Sequence, residues 1–270
     1  MNLAEVFTRT RAQRRAAFMA YLPVGFPDVA TSIEAMRAVV DCGADIIEVG
    51  IPYTDPMLDG PVIQDAAHRA LAAGTKVADA FTAVRAVADA GAAAVVMTYW
   101  NLVLRRGPQR FARDLADAGG AGVVLPDLTP EEAGAWLDAA QGAGLDTIFL
   151  VAPSSTAQRL AFVTAASSGF VYAASVMGVT GTRATVGSAA RGLVERTREH
   201  TDLPVCVGLG VSTGAQAAEV AGYADGVIVG SALVKALDAS LRQDREGLGP
   251  LRALASELAA GARRDLRVDG

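Results

Sequence analysis

Apolar and polar positions along this 270-residue chain follow a repeating two-part rhythm. Short apolar runs alternate with longer, Ala-rich segments whose apolar positions recur at helical spacing, and a Gly usually marks the junction. The runs are FMAYLPVG (18–25), DIIEVGI (45–51), AAAVVMTYW (92–100), AGVVLPD (121–127), DTIFLVAP (146–153), GFVYAASV (169–176), PVCVGLGV (204–211) and ADGVIVGS (224–231). A polar-rich helix is expected over 3–16, ahead of the first run. Further helices are expected from near Thr31–Ser32 to 41, over 62–73 and 77–90, near 108–118, and from about Pro130–Glu131–Glu132. Others fall near 157–166, 187–200 and 213–221, with a helical pair running to about 262. Thr31, Ser32 and Thr129 are N-cap candidates, and Gly43 suits the position just past a helix end.

Eight strands, each followed by a helix, predict an α/β chain folded as a (β/α)8 TIM barrel, with an extra N-terminal helix and additional helices. A doubly wound open sheet is the competing architecture, but it expects a GxGxxG turn after the first strand, and none is present. With no linker or low-complexity tract, residues 1–270 read as one domain.

In such a barrel the reacting groups come from the C-terminal ends of strands and the loops after them. The second run is apolar except for Glu48, and an unpaired buried carboxylate is costly. If Ile47 and Val49 face the outer helices, then Ile46, Glu48 and Gly50 face the interior. Asp59 follows eleven positions later, on the loop crossing the same mouth. A buried acid and a loop acid at one mouth suit general acid–base chemistry. Each also has a plainer reading: Glu48 as a satisfied core polar, Asp59 as the first half of an Asp–Gly turn.

A second cluster lies late in the chain. Gly178-Val179-Thr180-Gly181 follows the sixth run, Gly208-Leu209-Gly210 ends the seventh, and Gly230-Ser231 closes the eighth and opens a helix. Glycines let backbone N–H groups approach an anion, and a helix N-terminus adds partial positive charge. Any one of these glycines alone is explained by a turn; three at these strands point to a phosphate site and a small phosphorylated substrate. Tyr172 and Tyr21 stand on strands beside them. Tyr99, Trp100, Asn101 and Asp127 end strands, where lining the mouth and packing are equally good readings. His68 and His200 sit on helical stretches and read as structural, so no metal site is expected.

Composition narrows the function classes. A net charge of −5 with no extended basic cluster argues against nucleic acid. No apolar run is long enough to span a membrane, and the first residues lack the pattern of a signal peptide. Cys42 and Cys206 lie far apart in apolar surroundings, which suits packing in a reducing compartment; a cytoplasmic protein is expected.

The run EVGIPYTDPMLDGPVIQDAAHRAL resembles the signature of the tryptophan synthase alpha subunit family. The resemblance extends to YLPVGFPD, MTYWNLVLRRG, VVLPDLTPEE, GVTGTR, VGLGVST and VIVGSALVK, and so to nearly the whole chain. It implies reverse-aldol cleavage of indole-3-glycerol phosphate to indole and glyceraldehyde 3-phosphate. By motif position Glu48 and Asp59 match the two catalytic carboxylates. Tyr172 and Thr180 match substrate-pocket positions, and Tyr21 stands where many relatives carry Phe beside the indole. Gly181, Gly210, Gly230 and Ser231 match the phosphate cradle. Loops 53–60 and 178–187 match two mobile segments, with Pro52, Asp55 and Thr180 the candidates for loop closure and contact with a partner; Val176 and Met177 depart from many relatives. No cofactor is implied in this subunit. Pyridoxal phosphate is expected only in a beta partner, with which the family forms an alpha2beta2 heterotetramer that passes indole through a tunnel. Three alternatives remain: a free-standing lyase of the same chemistry, a catalytically idle stimulator of a partner, and another phosphate-binding barrel enzyme acting on a sugar phosphate.

Overall fold

A computed structural model describes residues 1–174, 183–208, 210–243 and 247–263, with the backbone alone given for 183–188. The elements run α1 (Leu3–Ala12), β1 (Ala17–Pro23), α2 (Val29–Asp41), β2 (Ile46–Gly50), α3 (Pro61–Ala72), α4 (Val77–Asp89) and β3 (Ala93–Met97). They continue with α5 (Trp100–Arg106), α6 (Pro108–Asp117), β4 (Gly122–Val124), α7 (Gly134–Ala143), β5 (Asp146–Ile148), β6 (Leu150–Val151), α8 (Ala157–Ala166) and β7 (Val171–Ala174). The chain then forms α9 (Arg183–Arg198), β8 (Val205–Gly208), α10 (Gly214–Ala221), β9 (Gly226–Val229), α11 (Ser231–Gln243) and α12 (Gly249–Ala262).

All strands are parallel, in the order β5-β4-β3-β2-β1-β9-β8-β7-β6. The two ends of that list, β5 and β6, are one run of chain interrupted at Phe149. It pairs with β4 on one side and β7 on the other, so the sheet returns on itself as the expected barrel. The fifth expected strand is therefore split in two.

Buried parallel strands need apolar residues on both faces, which explains the continuous character of β1 and β2. Side chains alternate between two cores. Phe18, Ala20, Ile47, Val49, Ala94 and Val96 pack outward under the helices, while Met19, Ile46, Ala93, Val95, Ile148 and Ile228 fill the interior. The extra helix α1 closes the N-terminal end: Leu3, Val6 and Phe7 join the inner cluster, with Phe7 5.9 Å from Phe170 between ring centroids. At the same end Asp45, just before β2, is buried against two arginines. Arg15 reaches it through two bonds of 2.6 and 2.8 Å, Arg9 through one of 3.0 Å, and Phe18 N donates to it at 3.0 Å. Although burial alone would raise it, these donors hold the Asp45 carboxyl below its ordinary range.

Several boundaries differ from the sequence expectation for identifiable reasons. α2 begins two residues early because Asp28, rather than Thr31 or Ser32, is the N-cap and accepts from Thr31 N at 2.8 Å. Ser32 instead takes a hydrogen bond from Gly25 N at 2.9 Å. Thr129 caps no helix: Glu132 N bonds Thr129 O in a turn, and α7 starts only at Gly134. The short helix α5 starts on Trp100, the last residue of the third apolar run, where no helix was expected, and α9 begins at 183 rather than near 187. Gly43 does take the position past α2, with φ +106°.

Candidate active site

β1, β2 and β3 place Tyr21, Glu48 and Val95 side by side in register. Glu48 points inward as alternation requires, its neighbours Ile47 and Val49 belonging to the outer core. Glu48 is 3% exposed, and its Oε1 has no hydrogen-bond partner among the described residues. Burial, followed by the nearby charge of Asp59, pushes it up to about 8.

Asp59 reaches the same mouth from the loop after β2. The end of that loop is fixed by the start of α3. Gly60 is the N-cap, Pro61 pre-sets the first helical φ, and Gln64 Nε2 donates to Asp59 O at 2.7 Å. Asp59 is half-buried, and desolvation raises it to about 6. Two carboxyls with different proton affinities are therefore close enough for the charge of one to raise the other. Near neutral pH Glu48 holds its proton and Asp59 is ionised, the division of labour an acid–base pair requires.

Two tyrosines complete the wall. Tyr21 and Tyr172 are raised well above the ordinary phenol range, first by burial and then by both carboxylates. Each lies across a glycine of the neighbouring strand. A Cβ at Gly50 would fall 2.4 Å from the Tyr21 hydroxyl, and one at Gly208 would fall 2.5 Å from the Tyr172 hydroxyl. Gly230 sits beside Tyr21, a Cβ there falling 3.4 Å from Cδ1. It introduces α11, its carbonyl accepting from Leu233 N and Val234 N at 2.9 and 3.1 Å. The first N–H groups of that helix, with Ser231 at its first position, are suited to an anion. Gly210 adopts φ +64° in an exposed turn after β8. Thr180 and Gly181, with Val176 and Met177, lie outside the described residues.

Of the loop-closure candidates, Pro52 is buried at the end of β2, and Asp55 is exposed, accepting from Thr54 Oγ1 at 2.5 Å. Its expected partner Thr180 is outside the described residues. Next to Asp59 on the loop, Met57 and Leu58 are exposed apolar side chains, 72% and 53% accessible. Tyr99, ambiguous in the sequence, is buried: its hydroxyl accepts from Met57 N at 3.1 Å and Leu58 N at 3.5 Å, and its ring stacks on Tyr53 at 4.9 Å. No sequence pattern marks a bond spanning 42 residues; the only signal was an aromatic at a strand's C-terminal end. Asp127 holds the start of α5 through two contacts of 3.0 Å to Trp100 N. His68 is exposed on α3, and His200 follows α9, its carbonyl accepting from Thr164 Oγ1. Among the described residues no group of three or more His, Cys, Asp or Glu is placed to hold a metal, and no helix is long and apolar enough to cross a membrane.

Comparison with known proteins places this geometry among relatives. A family model described as tryptophan synthase alpha chain matches residues 7–263. The tryptophan synthase alpha chain of Nocardia farcinica is 58% identical over 262 residues, 97% of this chain and 96% of that protein. That of Mycobacteroides abscessus is 59% identical over 263 residues, 97% and 98% of the two chains. Among solved structures, Mycobacterium tuberculosis tryptophan synthase superposes with a TM-score of 0.90 at 58% identity, covering 97% of this chain and 98% of that one. The alpha subunit from Legionella pneumophila superposes with a TM-score of 0.88 at only 31% identity, covering 97% and 98%.

Proposed function

Because the chain belongs to the tryptophan synthase alpha chain family, the lyase subunit that cleaves indole-3-glycerol phosphate, we propose that Glu48 and Asp59 carry out that cleavage at the mouth of the barrel. The observation that carries this reading is the pairing of a buried, proton-retaining Glu48 with a readily ionised Asp59. Glu48 gives its proton to indole C3. The ring becomes an iminium whose positive charge lies on nitrogen, and the Asp59 carboxylate accepts a hydrogen bond from that N–H. The bond from C3 to the side chain then breaks, its electron pair restoring the aromatic ring. The side-chain hydroxyl loses its proton to the Glu48 carboxylate as the aldehyde forms. One proton has moved from hydroxyl to C3, and Glu48 is ready for another turnover.

The remaining residues take binding roles. Gly230, Ser231, Gly210 and Gly181 cradle the phosphate with backbone N–H groups and one hydroxyl. Tyr21 and Tyr172 wall the indole, with Thr180 beside it. Pro52, Asp55 and Thr180 join loop closure to a beta partner. The chain works as the alpha half of an alpha2beta2 assembly in the cytoplasm. Pyridoxal phosphate belongs to the beta partner, and the proton steps above use this chain's own side chains.

The test is indole release from indole-3-glycerol phosphate by the full chain, alone and with a beta subunit. Glu48→Gln keeps the shape and removes the transferable proton. It is expected to lower kcat by roughly 10²–10⁴-fold. Full indole release by the variant would overturn the assignment. Strong turnover that a beta subunit fails to raise would point instead to a free-standing lyase.

A further inference from the structure

Among the described residues, the segment just before Asp59 is held through its backbone by Tyr99, and Asp59 itself by Gln64. We propose that Tyr99 is a positioning residue for the cleavage, its hydroxyl holding the backbone at Met57 and Leu58 so that Asp59 faces the indole nitrogen. The proposal rests on the reading of Asp59 given above.

Two hydrogen bonds of 3.1 and 3.5 Å join the Tyr99 hydroxyl to Met57 N and Leu58 N, the two residues immediately before Asp59. Both are donated to the hydroxyl, so its own proton stays available for the site. Behind them the ring is clamped. Tyr99 is buried, and Tyr53, at the start of the same loop, stacks on it with planes inclined by 25°. Asn101 Nδ2 reaches the Tyr53 hydroxyl at 3.4 Å. The anchor is itself anchored: Asp127, after β4, fixes Trp100 N at the first turn of α5. One chain of contacts thus runs from the barrel wall through Tyr99 to the loop. On the far side, Gln64 and the N-cap Gly60 hold the loop's other end. Asp59 is therefore suspended between two fixed points, one on α3 and one on Tyr99. Burial and the charge of Asp59 push the Tyr99 phenol up to about 12, so it remains a neutral acceptor over the working range of the enzyme.

A misplacement of about 1 Å is enough to cost a large factor in rate when a group must meet a developing charge. Tyr99→Phe removes the acceptor and keeps the ring and the stack. In the full chain saturated with a beta subunit, kcat for indole formation is expected to fall roughly tenfold, with KM changed far less and the thermal midpoint unaltered. The deciding comparison is a cycle with Asp59→Asn. If Tyr99 acts through Asp59, adding Tyr99→Phe to Asp59→Asn lowers the residual rate no further. The acid limb of the kcat/KM profile should also move below about 6 in Tyr99→Phe, as the freed carboxylate gains solvent. An equal loss in both backgrounds, or a wild-type rate for Tyr99→Phe beside a crippled Asp59→Asn, overturns the positioning role. A fully active Asp59→Asn would instead overturn the parent reading.

Discussion

Glu48 and Asp59 differ chiefly in where they are rooted. Glu48 is built into a buried strand, whereas Asp59 hangs from a loop with access to water. That difference sets a pH window. The pair proposed to be productive, protonated Glu48 with ionised Asp59, is most populated between about 6 and about 8. The kcat/KM profile of the free enzyme is expected to be bell-shaped with limbs near those values; a flat profile from pH 5 to 9 would count against it. The same burial has a stability consequence. Glu48 has a higher proton affinity folded than unfolded, so its favourable contribution is complete below its ordinary value of 4.5 and is lost as pH rises through about 8. The loss is on the order of a few kcal/mol. Urea midpoints of the native chain should fall between pH 5 and 8.5, and Glu48→Gln should flatten that slope. Asp45 shows the opposite sign: its carboxyl is depressed, so its contribution is present above the ordinary carboxylate range and fades as pH falls through it.

At the level of elements, β-strand alternation made Glu48 readable: the apolar residues on either side had to face the helices, and Gly50 had to follow it inward. Close packing then explains the glycines. Gly50→Ala would drive a methyl into the Tyr21 hydroxyl, and Tyr21 has the Gly230 turn behind it. The expected cost is about 1–3 kcal/mol of stability, with a displaced Tyr21 lowering turnover as well; circular-dichroism melts and the indole assay read the two separately. The eight-run count held because parallel strands buried on both faces give continuous apolar stretches. What the pattern did not show were features set by a single side chain or a distant partner. Asp28 displaced the hydroxyls at the start of α2, α5 opened on Trp100 at the very end of the AAAVVMTYW run, and Phe149 divided the fifth strand. Asp45 read only as the first letter of a strand, whereas it lies just before β2. Its role depends on Arg9 and Arg15, 36 and 30 residues away.

Across the whole molecule the two ends of the barrel have separate tasks. The mouth carries uncomfortable carboxyls, while the floor, closed by α1, carries satisfied ones. Asp45→Ala leaves Arg15, only 8% exposed in its side chain, buried without its partner, and is expected to cost about 3–5 kcal/mol. Chemical denaturation should show that loss while kcat at 25 °C stays within about twofold, because the floor touches no reacting group. The interruption at Phe149 has a further consequence. Around the barrel, β1 and β2 are joined over five paired positions, but β6 meets β7 over only two, Leu150 with Tyr172 and Val151 with Ala173. A ring of strands unzips where its stitching is shortest. In deuterium oxide the amide of Tyr172, bonded to Phe149 O, should exchange well before those of β1 and β2, making the wall proposed for the indole the first part of the barrel to breathe.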